Sequence, residues 1–197
     1  MRLAAVFLLC TGFFAAPTVR DDRPIGESAA RVDGSAGSFP KTADDAPLTV
    51  NAPHLQLTLT HSGHVVTPEM NVRLIADIQI AQDVHVYAPG VKDYRPLQLT
   101  IDPMPGIEPG APSYPKSKLL FLKSINQEVP VFEGKLRVSQ DVNIVSSQEF
   151  TSAPAASAKI ITVTGELKYQ ACTLKVCFLP ASAPLKWELH VAPSGHN

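Results

Sequence analysis

The chain has 197 residues and a net charge of −1, with 45% hydrophobic and 18% charged residues. That is the balance of one ordinary globular domain with additional chain at an end. The near-neutral charge offers no basic surplus for nucleic acid or an anionic membrane surface, so neither is an expected partner.

Residues 1–16 begin with Arg2, continue through the apolar run Leu3-Ala4-Ala5-Val6-Phe7-Leu8-Leu9-Cys10 and reach the small residues Ala15-Ala16. This is the layout of a secretory signal, with an approximate end at Ala16. Cys10 follows Leu9 where a lipoprotein cysteine needs a small residue, so it is expected to leave with the signal. Residues 17–47 are rich in Asp, Ser, Gly, Ala and Pro with almost no large apolar side chains. Such a segment cannot bury enough surface to fold alone and reads as a flexible lead-in. No other apolar run approaches the ~20 residues that cross a bilayer, so the mature chain is expected to be soluble, without a membrane span of its own, on the oxidising side of the membrane.

From Leu48 the hydrophobic period is two, the strand signature. Leu55, Leu57 and Leu59 alternate with polar residues, as do Val72, Leu74, Ala76, Ile78 and Ile80; the pattern returns at Leu136, Val138, Gln140 and Val142 and again at Leu185, Trp187, Leu189 and Val191. Trp187 lies in the apolar register of the last strand and is expected in the core. Asp102-Pro103-Met104-Pro105-Gly106 and Glu108-Pro109-Gly110-Ala111-Pro112 read as Pro- and Gly-rich turns. No helical stripe and no internal repeat appears. Seven to nine short strands with such turns predict an all-β, immunoglobulin-like antiparallel β-sandwich over residues 48–192, followed by a tail at 193–197.

One segment carries chemistry: Tyr169-Gln170-Ala171-Cys172-Thr173-Leu174-Lys175-Val176-Cys177-Phe178-Leu179-Pro180. The two cysteines are too far apart for a Cys-x-x-Cys motif, and no second pair or His-x-His cluster completes a zinc site. With Cys10 removed they are the remaining pair in an oxidising compartment, which leaves a redox disulfide or a structural staple. A loop this short adds only about 2 kcal/mol in the chain-entropy picture, and a domain of about 150 residues needs no staple. In the strand before the pair, Ile161, Val163, Gly165, Leu167, Tyr169 and Ala171 share one face. Strict alternation then puts Cys172 with the polar set, at the solvent side, where another protein's thiolate can reach it. Thr173–Val176 must reverse the chain, and Phe178, Leu179 and Pro180 form an apolar collar that either shields the disulfide or meets a partner.

The motif Tyr169-Gln170-Ala171-Cys172, four spacer residues, Cys177 and Pro180, followed by Pro184-Leu185-Lys186-Trp187, resembles the N-terminal periplasmic domain of the DsbD family of thiol:disulfide interchange proteins. His85-Val86-Tyr87-Ala88-Pro89-Gly90 is a weaker upstream likeness. The resemblance implies an immunoglobulin-like domain whose exposed disulfide receives electrons from a thioredoxin-like domain and passes them to periplasmic isomerases or cytochrome c maturation proteins. It assigns Cys172 and Cys177 as the redox pair, with Cys177 joined to partners in mixed disulfides and Cys172 resolving them. Tyr87, Tyr169 and Phe178 are its site-lining candidates. The implied partners are thioredoxin-like periplasmic proteins and a DsbD-type membrane electron transporter. The family commonly continues into a multi-spanning membrane domain and a second thioredoxin-like domain, and this chain stops at Asn197, so it is expected to be a relay domain rather than a complete enzyme. The acidic and aromatic cap loop of some members has no counterpart string here; Leu119-Leu120-Phe121-Leu122-Lys123 is nearest by order.

Two other functions compete. One is a non-redox binding or adaptor domain with a structural disulfide. The other is copper handling by Cys, His and Met, but His54, His61, His64, His85, His190 and His196 show no ligand spacing beyond His61 with His64. No metal site and no cofactor are predicted, and no nucleophile elbow, phosphate loop or paired-carboxylate motif is present.

Overall fold

The computed structural model describes residues 47–192 apart from 64, 93, 124, 125 and 147–158. The expected signal with Cys10, the lead-in up to residue 46, His64 and the tail with His196 lie outside the described residues. Among the described residues the fold is all-β: β1 (Leu48–Ala52), β2 (Leu55–His61), β3 (Asn71–Ile80), β4 (His85–Tyr87), β5 (Gln98–Ile101), β6 (Ile107–Ser113), β7 (Lys118–Leu122), β8 (Gln127–Glu133), β9 (Lys135–Ile144), β10 (Lys159–Tyr169), β11 (Ala171–Cys172) and β12 (Ala181–Val191). No helix among these residues is long and apolar enough to cross a membrane.

The strands form a five-stranded sheet β1-β2-β3-β9-β6, a three-stranded sheet β12-β10-β5 and a four-stranded sheet β11-β4-β8-β7, with antiparallel ladders throughout. Alternation sets the faces. Leu57, Leu74, Val138, Val163 and Leu189 are all fully buried, and with their strand-mates they make one core drawn from all three sheets, in the immunoglobulin-like manner expected. Each such aliphatic side chain contributes about 1.5–3 kcal/mol on burial. Trp187 is in the core as expected, its Nε1–H donating to the Ile75 carbonyl at 3.3 Å and so linking β12 to β3 across the sandwich. On the outer face of β3 and β9 the register partners Arg73 with Asp141 and Asp77 with Arg137 form bidentate pairs.

The expected turn at Glu108–Pro112 is instead an edge strand. β6 pairs only with β9 in its sheet and shifts register between Pro109 and Pro112. Proline has no N–H for a ladder but is tolerated where one side of a strand has no neighbour. Gly110 keeps the edge close: an added Cβ would meet the Asp141 carbonyl oxygen at 3.1 Å, while Gln140 Nε2 donates to the Gly110 carbonyl at 2.7 Å. Twelve strands among the described residues exceed the seven to nine expected, and two of them, β4 and β11, are only three and two residues long. Their pairing places Cys172 opposite His85.

Candidate functional site

A disulfide joins Cys172 to Cys177, with Cα atoms 4.0 Å apart. The reversal is a tight turn. Thr173 N–H donates to the Val176 carbonyl at 2.8 Å, the Thr173 hydroxyl oxygen accepts from Val176 N–H at 3.0 Å, and Phe178 N–H returns to the Ala171 carbonyl at 2.9 Å. Leu174, Val176 and Leu179 stand out from this turn, 72%, 57% and 88% exposed. Cys177 is exposed among them.

Cys172 is not on the solvent side as strict alternation suggests; it is 0% exposed. The parity of the strand is kept, but the environment changes. After Tyr169 the chain leaves the ladder with β12, and Ala171–Cys172 pairs with His85–Val86 of β4 instead. Ala171 still faces the main core. The opposite face, which in β10 meets solvent, carries a second apolar cluster here: Cys172 packs with Tyr87, Val129 and Val131, and Val91, Tyr94, Leu120 and Leu122 pack around them. The segment expected as the nearest cap substitute is strand β7, which sends Leu120 and Leu122 into this cluster and leaves Leu119 and Phe121 exposed.

Of the aromatic candidates, Tyr87 reaches the sulfurs. Its ring is buried, and its hydroxyl lies 3.6 Å from Cys177 Sγ. A disulfide sulfur has no proton, so the phenol is the donor in this state. Burial, reinforced by Tyr94, raises the Tyr87 pKa above its ordinary value and keeps it a donor. Tyr94 stacks on it with ring centroids 4.2 Å apart. Tyr169 faces the main core, away from the sulfurs, and its hydroxyl donates to the Pro53 carbonyl at 2.7 Å. Desolvation raises its pKa to about 12. Phe178 is half-buried; its carbonyl accepts from Gln170 Nε2 at 2.9 Å and its ring stacks on His54 at 3.9 Å. His54 has a φ of +63° in the two-residue turn between β1 and β2, a conformation a non-glycine residue rarely adopts. The Tyr169 hydroxyl thus holds a turn that backs the residue after Cys177.

Tyr94 is a site residue that sequence reasoning does not find; His54 enters it only among the metal-ligand candidates, and His85 there and in the weaker upstream likeness. Tyr94 sits in no periodic stretch, and no motif pairs it with Tyr87. His85 is 2% exposed inside β4 and meets Tyr87 edge-on at 5.6 Å. Its place in the apolar-flanked triplet His85-Val86-Tyr87 was the available signal.

The geometry is that of an immunoglobulin-like sandwich carrying a surface disulfide hairpin with one sulfur covered and one presented. The chain belongs to the family described as thiol:disulfide interchange protein DsbD, N-terminal, whose profile matches residues 56–186. Among solved structures it is similar to the N-terminal periplasmic domain of ScsB from Proteus mirabilis, with a TM-score of 0.51 and 13% identity over 77% of this chain; the match spans 55% of that domain. The N-terminal domain of Neisseria meningitidis DsbD in the reduced form is also found, with a TM-score of 0.40 and 15% identity over 59% of this chain and 77% of that one. No curated protein sequence matches.

Proposed function

We propose that this chain is an exported thiol:disulfide exchange module of the periplasm, relaying electrons between a thioredoxin-like donor and acceptor proteins through Cys172 and Cys177. The unequal exposure of the two cysteines carries the proposal, with Cys172 fully buried and Cys177 an exposed residue. A partner thiolate attacks Cys177 Sγ and the Cys172–Cys177 bond breaks, leaving a mixed disulfide at Cys177 and a thiolate at Cys172. The second thiol of the same partner then attacks that partner's own sulfur in the mixed disulfide, which frees Cys177 as a thiolate and releases the partner as its disulfide. Passing the electrons on is the reverse: Cys177 attacks an acceptor disulfide, Cys172 closes on Cys177, and the acceptor leaves as a dithiol. The exposed apolar rim of Leu174, Val176 and Leu179 around Cys177 is surface of the kind that a protein partner covers.

The roles are tested with Cys172→Ser and Cys177→Ser, each mixed with a thioredoxin-like domain carrying only its nucleophilic cysteine, activated as a mixed disulfide. Non-reducing electrophoresis should show a covalent complex with Cys172→Ser and far less with Cys177→Ser. Equal trapping by both removes the assignment of roles. No trapping by either, with the fold intact and a wild-type reduction potential below about −300 mV, the range of structural disulfides, replaces the proposal with a non-redox binding domain.

A further inference from the structure

His85 is almost wholly buried, and its Nε2 has no hydrogen-bond partner. Leaving a buried polar atom unpaired costs about 1–3 kcal/mol, and proteins seldom do so without a reason. The strand register supplies one. His85 is the partner of Cys172 on one side and of Glu133 on the other. Directly opposed residues of antiparallel strands send their side chains to the same face, with Cβ atoms about 4.5–5.5 Å apart. Cys172, His85 and Glu133 therefore form a row across β11, β4 and β8. Packing fixes the same face independently, because the Tyr87 ring touches both the His85 ring and the Cys172 cluster. While the disulfide is closed, Cys172 has no proton to offer; reduction gives it a thiol on the face that His85 shares.

We propose that His85 is the proton acceptor for the Cys172 thiol, making closure of the disulfide base-assisted at neutral pH. The inference rests on the exchange reading above. In the closing step the Cys172 S–H proton passes to His85 Nε2, and the resulting thiolate attacks Cys177 Sγ of the mixed disulfide. The Cys172–Cys177 bond forms, the bond to the partner breaks, and the partner leaves as a thiolate. Over the two steps together, attack by Cys177 on the partner disulfide and closure by Cys172, the two cysteines lose two electrons and the partner disulfide gains two. In the opening step the imidazolium returns its proton to the Cys172 thiolate.

The surroundings suit a base that is neutral before it acts. Burial lowers the His85 pKa from its ordinary value, and the opposing charge of Glu133 offsets this only in part. Tyr87 on the same strand, its pKa raised by burial, faces the site as a neutral phenol, and Tyr94 is stacked over it. Lys118 of β7 pairs with the exposed Glu133 carboxylate at 3.8 Å. Glu133 connects the row to solvent, where the proton is finally exchanged. Without a base, a thiol of ordinary pKa ~8.5 is only about 3% thiolate at pH 7, and apolar surroundings reduce that fraction.

The test uses the reduced protein and Ellman's reagent in a stopped-flow instrument. Release of the first chromophore reports attack by Cys177, and release of the second reports closure by Cys172. In the wild type the second phase should rise with pH through a midpoint below neutrality. His85→Gln should leave the first phase unchanged and slow the second about 10- to 100-fold at pH 7, with the midpoint replaced by a climb toward the ionisation of an unassisted thiol. Glu133→Gln, a change at an exposed carboxylate outside the core, should move the wild-type midpoint to lower pH. A second phase unaltered in His85→Gln overturns the inference, as does a parallel fall of both phases at every pH. Should His85→Gln fail to fold, a wild-type profile without a midpoint below neutrality, or one that Glu133→Gln leaves in place, overturns it equally. Absence of any first phase in folded wild-type protein instead refutes the exchange reading itself.

Discussion

Tyr169→Phe removes one oxygen from the core and should be felt at the disulfide. The Tyr169 ring is buried, and its hydroxyl donates at 2.7 Å to the carbonyl of Pro53, which precedes His54 at φ +63°. The ring's apolar contacts survive the substitution. What is lost is one hydrogen bond, with an acceptor left unpaired, a cost of about 1–2 kcal/mol. For a domain of this size that lowers Tm by roughly 2–8 °C. The pH dependence gives a sharper signature. The folded-state phenol titrates at about 12, above the unfolded value of about 10. A raised pKa means that the group's contribution is whole below about pH 10 and is lost as pH climbs through that window toward the folded value, because the unfolded chain loses its proton first. Phenylalanine has no proton to lose. Wild type and Tyr169→Phe should therefore differ most at neutral pH and converge above about pH 10, as measured by denaturant unfolding at a series of pH values. A gap that is constant or widens with pH would refute the role given to this hydroxyl.

Two further substitutions probe the frame and the cover of the site. Gly165→Ala drives a Cβ against the Thr100 carbonyl oxygen and to 3.3 Å from Ile101 Cα; it should cost about 1–3 kcal/mol, as overpacking does, and raise amide exchange in β5 before the other strands. Tyr94→Ala removes the ring stacked on Tyr87, so alkylation of the reduced protein should quicken at Cys172, read by peptide mass spectrometry, while Tm falls only slightly; unchanged labelling would mean that Tyr94 does not cover the sulfur.

Much of the sandwich was legible because a strand's side chains alternate whatever their neighbours are. Leu55 to Leu59, Val72 to Ile80 and Leu185 to Val191 are buried at the positions their period selects. The cysteine spacing likewise marked a hairpin, since five residues of separation leave the chain no choice but to turn back. Periodicity reports which face a residue shares, however, and not what lies against that face. Cys172 was placed on the face opposite Ala171, correctly, yet it is buried because β8, β7 and the segment bearing Val91 and Tyr94 cover that face. The prolines at 109 and 112 looked like turn residues, and only the empty side of β6 made them acceptable in a strand. The contacts that shape the site are longer still: Tyr87 meets Cys177 across 90 positions, and Tyr169 meets Pro53 across 116. His85 is opposed to Cys172 only because two very short strands pair. Local pattern determined the strands and the hairpin; the burial of one sulfur, the exposure of the other and the histidine beside them were decided by packing among segments remote in the chain.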